Sequence, residues 1–316
     1  MRVVSLLPAT TEIVHALGRG DTLVGRSHEC DHPAGVEALP VCTEPRVEFT
    51  GASCDIDAQL KGVLEAALSL YEVHVDVLRE VAPDVVLTQS LCEVCAVSLA
   101  DVQAAVEAHL GDHVRVVACE PNALADVRAD VRRVAEALGV PAEGERVVAE
   151  LDARIDAVRA RVAGRPPVRV ATVEWVDPFM AAGNWMPELV EAAGGVELFG
   201  IAGAHSPWTD LDALAAADPD VVVAMPCGFG LARTVEEVRV LWEQPAWRDL
   251  RAVREGRVAA TDGHRFFNRP GPRLAESVEI LAEILHPGLA DGPDATSHHG
   301  DAWVWLDPAT GAPAGA

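Results

Sequence analysis

Cys92-Glu93-Val94-Cys95 places two thiols with a two-residue gap, the spacing at which a short turn can chelate a soft metal. Cys30, with His28 two residues before it, offers a third ligand, and Cys227 a fourth. Thiolate and imidazole donors of this kind suit zinc, an iron–sulfur cluster or cobalt. A zinc site normally shows two such pairs, so the opposite reading stays open: Cys92 and Cys95 as small buried hydrophobes or as a redox pair. Cys42 and Cys54 read as loop or core residues.

A second set of residues suits a bulky ligand. Trp175, Trp185, Phe229, Phe266 and Phe267 could form a flat apolar wall for a macrocycle, because aromatic faces give large contact area at little entropic cost. The plain alternative is ordinary core. His28 is either a neutral imidazole ligand or a loop residue bonded to Asp31. His264 has the same two readings, with Arg265 beside it as an anion contact. Pro8 and Asn184 complete the candidate ligand contacts, which are Pro8, His28, Trp175, Asn184, Trp185, Phe229, His264, Arg265 and Phe267. The candidate metal ligands are Cys30, Cys92, Cys95, Cys227 and His28.

Most of these residues fall just after a β-branched run and just before a helical pattern. Val3–Leu7, Val85–Thr88 and Val114–Ala118 read as strands of one lobe, and Val168–Val173, Val221–Met225 and Arg257–Thr261 as strands of another. Repeated strand–turn–helix units predict parallel sheets covered by helices. Ligands then bind at the carboxyl edge of the strands, where the turns lie. Between the lobes, Val147, Leu151, Ile155, Val158 and Val162 recur at four-and-three spacing, one apolar stripe of a long helix over 143–164. Ala82-Pro83-Asp84-Val85-Val86 and Asp218-Pro219-Asp220-Val221-Val222 echo each other ahead of two strands, which supports two similar lobes. The expected division is 1–142, an α/β lobe; 143–164, the linking helix; 165–287, a second α/β lobe; and 288–316, a Gly-, Pro- and Ala-rich tail with little structure beyond Trp303 and Trp305.

The phrases "VVSLLPATTEIVHALG", "VGRSHECD", "PDVVLTQ", "DPFMAAGNWMPELVEAAGG", "DPDVVVAMPCGF" and "GRVAATDGHRFFNRPGPRLAESVEILAEILHP" together resemble the cobalamin- and iron-siderophore-type solute-binding proteins of ABC transporters. The likeness runs over residues 1–287 and is closest to the cobalamin-binding subgroup with "HEC", "CEVC" and "PCGF" phrases. It implies a class III architecture, two Rossmann-like lobes joined by one long α-helix, with a cobalamin or related corrinoid held in the cleft. It also implies transport without catalysis and an ABC permease as partner. The alternative that keeps the same fold is an intracellular zinc, iron–sulfur or thiol-redox protein using the Cys/His cluster.

Composition narrows the classes further. With 25 basic against 49 acidic residues, the net charge of −24 argues against nucleic-acid binding, which needs a positive footprint. There is no glycine-rich phosphate loop and no Gly-x-Ser-x-Gly nucleophile turn. Pro8 ends the first apolar run, which is shorter than a secretion signal needs, so a cytoplasmic location with reduced thiols is expected. A monomer or weak dimer is expected.

Overall fold

A computed structural model describes residues 1–46, 51–65, 71–90, 99–289 and 297–315, the side chains of 63–65 excepted. By contacts the chain divides into two compact units, residues 1–51 with 55–150, and residues 52–54 with 151–316.

In the first unit, β1 (Val3–Ser5), α1 (Pro8–Ala16), β2 (Leu23–Arg26), β3 (Thr43–Pro45), α2 (Ser53–Glu65, entered from the other unit's residues), β4 (Tyr71–Val73) and α3 (Val75–Val81) follow in order. Then come β5 (Val85–Gln89), α4 (Leu99–His109), β6 (Arg115–Cys119), α5 (Leu124–Ala137) and the start of α6 (Pro141–Val162). The four-stranded sheet has order β2-β1-β5-β6 and every pairing is parallel. Its central strands β1 and β5 are buried along their whole length and read as unbroken hydrophobic stretches, while the edge strands β2 and β6 alternate in burial. Val3, Ile13, Val85, Leu87 and Val131 form the core on one face, and Val4, Val86, Leu78 and Val102 on the other. Beside it, Thr43–Pro45 and Tyr71–Val73 pair antiparallel as a separate two-stranded sheet.

The second unit takes over within α6. Leu151, Ile155, Val158 and Val162 are buried along the expected stripe, as is Val147 in the first unit's part of the helix. There follow β7 (Val168–Trp175), β8 (Met180–Ala181), α7 (Met186–Ala192), β9 (Gly195–Glu197), α8 (Leu211–Ala217) and β10 (Val221–Ala224). After them come α9 (Leu231–Val238), α10 (Pro245–Arg248), α11 (Arg251–Arg254), β11 (Val258–Thr261), a π-type turn (Gly263–Phe267), α12 (Leu274–Leu285) and β12 (Trp303–Trp305). The sheet order is β12-β11-β10-β7-β8, with β9 also on β7. The central strands are parallel, while β8 and β12 add antiparallel edges. The closing residues thus carry a strand, not the unstructured tail their Gly- and Pro-rich composition predicts. Burial of Ala302, Trp303 and Leu306 outweighs the weak local propensity.

The sequence echo has a common geometry. Ala82 and Asp218 both end a helix in the left-handed region, at φ 41° and 43°. Two residues later, the Asp84 carboxylate accepts from Arg2 N at 2.7 Å, and the Asp220 carboxylate from Arg169 N at 2.9 Å. Each arginine in turn donates to the last helical carbonyl, Arg2 Nε to Val81 O at 2.7 Å and Arg169 Nη2 to Ala217 O at 2.6 Å. One local device therefore fixes the amino end of the β1/β5 pair and of the β7/β10 pair.

Candidate functional site

In the first unit the residues after β1 and β2 meet at the carboxyl edge of the sheet. Pro8 is buried in the first turn of α1, where its missing N–H costs nothing. Behind it, Ser5 Oγ lies 2.7 Å from Thr10 Oγ1, and Thr11 Oγ1 donates to Ser5 Oγ at 2.8 Å. Cys30 Sγ closes this hydroxyl network, 3.0 Å from Thr11 Oγ1 and 3.1 Å from Ser27 Oγ. This thiol is only 1% exposed and is packed against two hydroxyls. His28 sits on the outer side. Its Nδ1 is 2.9 Å from Thr43 Oγ1 and its ring centroid 5.5 Å from that of Tyr71. Desolvation, and then the Arg26 guanidinium, hold its pKa below the usual imidazole value, so the ring is neutral at pH 7. Nε2 has no hydrogen-bond partner among the described residues.

The turn after β6 is held from below. Glu120 N donates to Asp130 at 3.0 Å, Arg133 pairs with the same carboxylate, and burial raises the Asp130 pKa to about 7. Ser90 Oγ donates to Glu120 at 3.0 Å. Cys92 and Cys95, the pair on which a metal site turned, lie outside the described residues. Among the described residues, no group of three or more His, Cys, Asp or Glu side chains is arranged to hold a metal.

The second unit gathers a different set. Trp175 ends β7, and its ring centroid lies 5.3 Å from that of Phe229, which follows β10 in the turn Pro226-Cys227-Gly228-Phe229. Gly228 makes that turn with φ +77°, a conformation only glycine adopts without strain. The Arg233 guanidinium stacks 3.7 Å above the Phe229 ring from the first turn of α9. Cys227 is half-buried in the same turn, and its N–H donates to Glu174 O at 3.3 Å. The turn after β11 docks alongside. His264 N donates to Phe229 O at 3.0 Å, and Asn268 Nδ2 to Met225 O at 3.0 Å. Gly263 is required there, since a Cβ would meet the Met225 carbonyl at 2.7 Å. His264 Nε2 is 2.5 Å from Arg269 Nη2, and Arg265 is capped through its N–H by Asp262 at 2.8 Å.

Asn184 precedes Trp185, whose indole N–H reaches Phe267 O in that turn, and has φ 51°. A left-handed asparagine at a candidate site is the kind of local strain that surrounding structure must impose. Here Asn184 N donates to Ala204 O at 2.6 Å and Gly203 N to Asn184 O at 2.9 Å. Gly183 N donates to Ser206 Oγ at 3.1 Å, and Ser206 Oγ to Glu174 at 2.7 Å. Desolvation keeps the Glu174 carboxyl above the usual carboxylate range despite that donor. Glu197 anchors the other end of the same loop. It accepts from Thr172 Oγ1 at 2.9 Å and Phe199 N at 3.2 Å, and burial raises its pKa to about 7.

Of the expected aromatic wall, Trp175 and Phe229 come together, but Trp175 alone is half-buried: Phe229, at 2% exposure, belongs to the lobe interior with Trp185, Phe266 and Phe267. Phe267 is fully buried, and its carbonyl accepts from Trp185 Nε1 at 3.0 Å. A Phe–Phe–Asn run that folds into one π-type turn must put both rings inside, a packing that residue type alone does not reveal. Arg233 carries no sequence mark of its stack, since it lies on α9 while Phe229 lies in the turn before that helix. Glu197 and Ser206 carry no sequence mark of their role.

Residues 3–264 match the family described as Periplasmic binding protein. Among curated relatives, the Vitamin B12-binding protein of Vibrio cholerae is 22% identical over 287 residues, covering 90% of this chain and 88% of that protein. An ABC transporter substrate-binding lipoprotein of Bacillus subtilis, YvrC, is 24% identical over 90% of this chain and 80% of its own length. Among solved structures, the periplasmic heme-binding protein RhuT from Roseiflexus sp. RS-1 in apo form aligns with a TM-score of 0.65 at 25% identity, covering 90% of this chain and 97% of that one. These relatives overturn the cytoplasmic placement drawn from the opening residues, since they are described as periplasmic or as a lipoprotein. The first residues of a sequence do not settle a compartment; among the described residues Cys30, Cys42, Cys54, Cys119 and Cys227 are free thiols.

Proposed function

Since this chain belongs to the periplasmic binding protein family, matched over residues 3–264, we propose that it captures a flat, metal-bearing tetrapyrrole, a corrinoid or a heme, for an ABC importer. It is a solute-binding protein of the ABC-transporter type and not an enzyme. Half-buried Trp175, backed by the buried Phe229 ring and Arg233 at the carboxyl edge of the second unit's sheet, supports the ligand class. An aromatic face backed by a guanidinium suits a planar macrocycle with polar fringe groups. The half-buried Asn184 adds an amide, able to meet either the amides of a corrinoid or the carboxylates of a heme.

Titration with aquocobalamin, cyanocobalamin and hemin, followed by calorimetry and visible spectra, tests the reading. Loss of one aromatic face is worth about 1.5–3 kcal/mol, so Trp175→Ala should weaken binding roughly 10- to 100-fold. Silence of the wild-type protein towards all three ligands would reject the proposal.

A further inference from the structure

The described part of the closing segment, residues 297–315, lies beyond the range that matches the family, and it is tied into the turn that follows β11. β12 pairs with β11 through Ala259↔Trp305, Ala260↔Val304 and Thr261↔Trp303. Just past that ladder, the carbonyl of fully buried Ala302 accepts from Asp262 N at 2.8 Å. Asp262 is the residue whose carboxylate caps Arg265 N, and Asp301 reaches the Arg265 guanidinium at 3.3 Å. So the first residue of the turn is held from outside by the closing segment. From the turn inward, His264 N donates to Phe229 O, which leads to the Trp175–Phe229–Arg233 stack.

The segment has its own anchor. Glu283 on α12 accepts from His298 N at 3.0 Å, from Trp303 Nε1 at 3.0 Å, and lies 2.6 Å from His298 Nδ1. Ala302 N donates to His298 O at 2.9 Å, so the residues around Ala302 are clasped by one carboxylate. The outer side of β12 is taken by its own chain, with Gly300 N on Trp303 O and Ala314 N on Trp305 O, both at 2.8 Å. The added strand is therefore not an open edge awaiting a partner.

We propose that residues 298–303 are a positioning element for the ligand-binding turn 262–268, with Glu283 as the positioning residue: its clasp fixes Ala302 O, which fixes Asp262 and through it His264 and Phe229. The consequence for affinity rests on the ligand role of the Phe229 stack; the consequence for the turn does not.

The test uses the full chain. In Glu283→Ala, limited proteolysis should cut within 297–302, the imidazole resonances of His264 should move in the ligand-free protein, and the Kd for cyanocobalamin or hemin should rise about 5- to 20-fold. Glu283→Gln, which keeps one acceptor, should restore part of each change. Release of the segment with unmoved His264 resonances overturns the proposal, and so does release with an unchanged Kd in a protein that binds. If wild type binds neither ligand, the function reading fails alone, and His264 still decides the positioning role. Should Glu283→Ala not fold, Trp303→Phe deletes a single donor to Glu283 and is read the same way, with a smaller shift expected; a His264 signal identical to wild type would then count against the proposal.

Discussion

Gly183→Ala probes the loop that supports Asn184. Gly183 does not have a positive φ, so backbone strain plays no part and only space is tested. An added Cβ would sit 2.6 Å from Ala204 O, 2.6 Å from Ser206 N and 2.8 Å from the carbonyl carbon of His205. All three are backbone atoms and none can swing aside, so residues 204–206 must move together. That movement strains the Asn184–Ala204 and Gly183–Ser206 bonds and draws Ser206 away from Glu174. Overpacking of this kind costs about 1–3 kcal/mol. One weakened hydrogen bond adds about 0.5–1.5 kcal/mol, so a destabilisation of roughly 2–3 kcal/mol is expected. For a unit of this size, each kcal/mol lowers Tm by about 2–4 °C, which puts the shift near ~5–10 °C by calorimetry. Gly62→Ala is the control, a helical glycine with nothing within 4 Å of its would-be Cβ, where alanine should stabilise by about 0.5–1 kcal/mol. A Gly183→Ala protein melting within about 1 °C of wild type would refute the docking of this loop.

Four further outcomes follow from the charges and thiols. Glu197 and Asp130 both have folded-state pKa values raised by burial to about 7, so their contribution is complete below the unfolded values and lost as pH rises towards 7. Urea melts at pH 5 and pH 8 should therefore show a smaller difference in Glu197→Gln and in Asp130→Asn than in wild type. His298 is shifted upward by its bond to Glu283, so the stability it adds is full below its unfolded pKa near 6.5 and fades above its folded one; a carbon-13 NMR titration placing His298 below 6.5 would contradict the clasp. Brief alkylation of the native protein, read by mass spectrometry, should label exposed Cys54 and spare Cys30, Cys42 and Cys119, since burial pushes the Cys42 thiol up to about 11 and Cys119 higher still.

What the sequence disclosed was periodic or punctuated. The four-and-three stripe of α6, the two Pro-Asp-Val-Val phrases and Pro187 in the first turn of α7 each have a mechanism that a few neighbouring residues suffice to state. What stayed hidden depended on distant partners. β12 has only three residues in a Gly- and Pro-rich setting, and it exists because β11 offers an edge and the interior accepts Trp303. Phe267 and Trp185 have the residue types of a ligand wall, yet they bond to each other inside the lobe, while Trp175, of the same type, stays half-buried at the sheet edge against the buried Phe229 ring. Residue type announces a capacity for contact, and packing decides which face is left to use it.

The repeated aspartate device explains why chemistry could diverge at the other end of the strands. In both units the tie between a helix end, an aspartate and a neighbouring strand fixes the amino ends of the central pair. Register is thereby set far from the turns, which are free to vary without unpairing the sheet. The first unit has used that freedom for an imidazole resting on Thr43 and Tyr71, with a hydroxyl–thiol network behind it. The second has used it for a tryptophan, a phenylalanine and an arginine in a stack. Like frames thus carry unlike edges, because the aspartate device holds register without constraining which side chains the turns bring together.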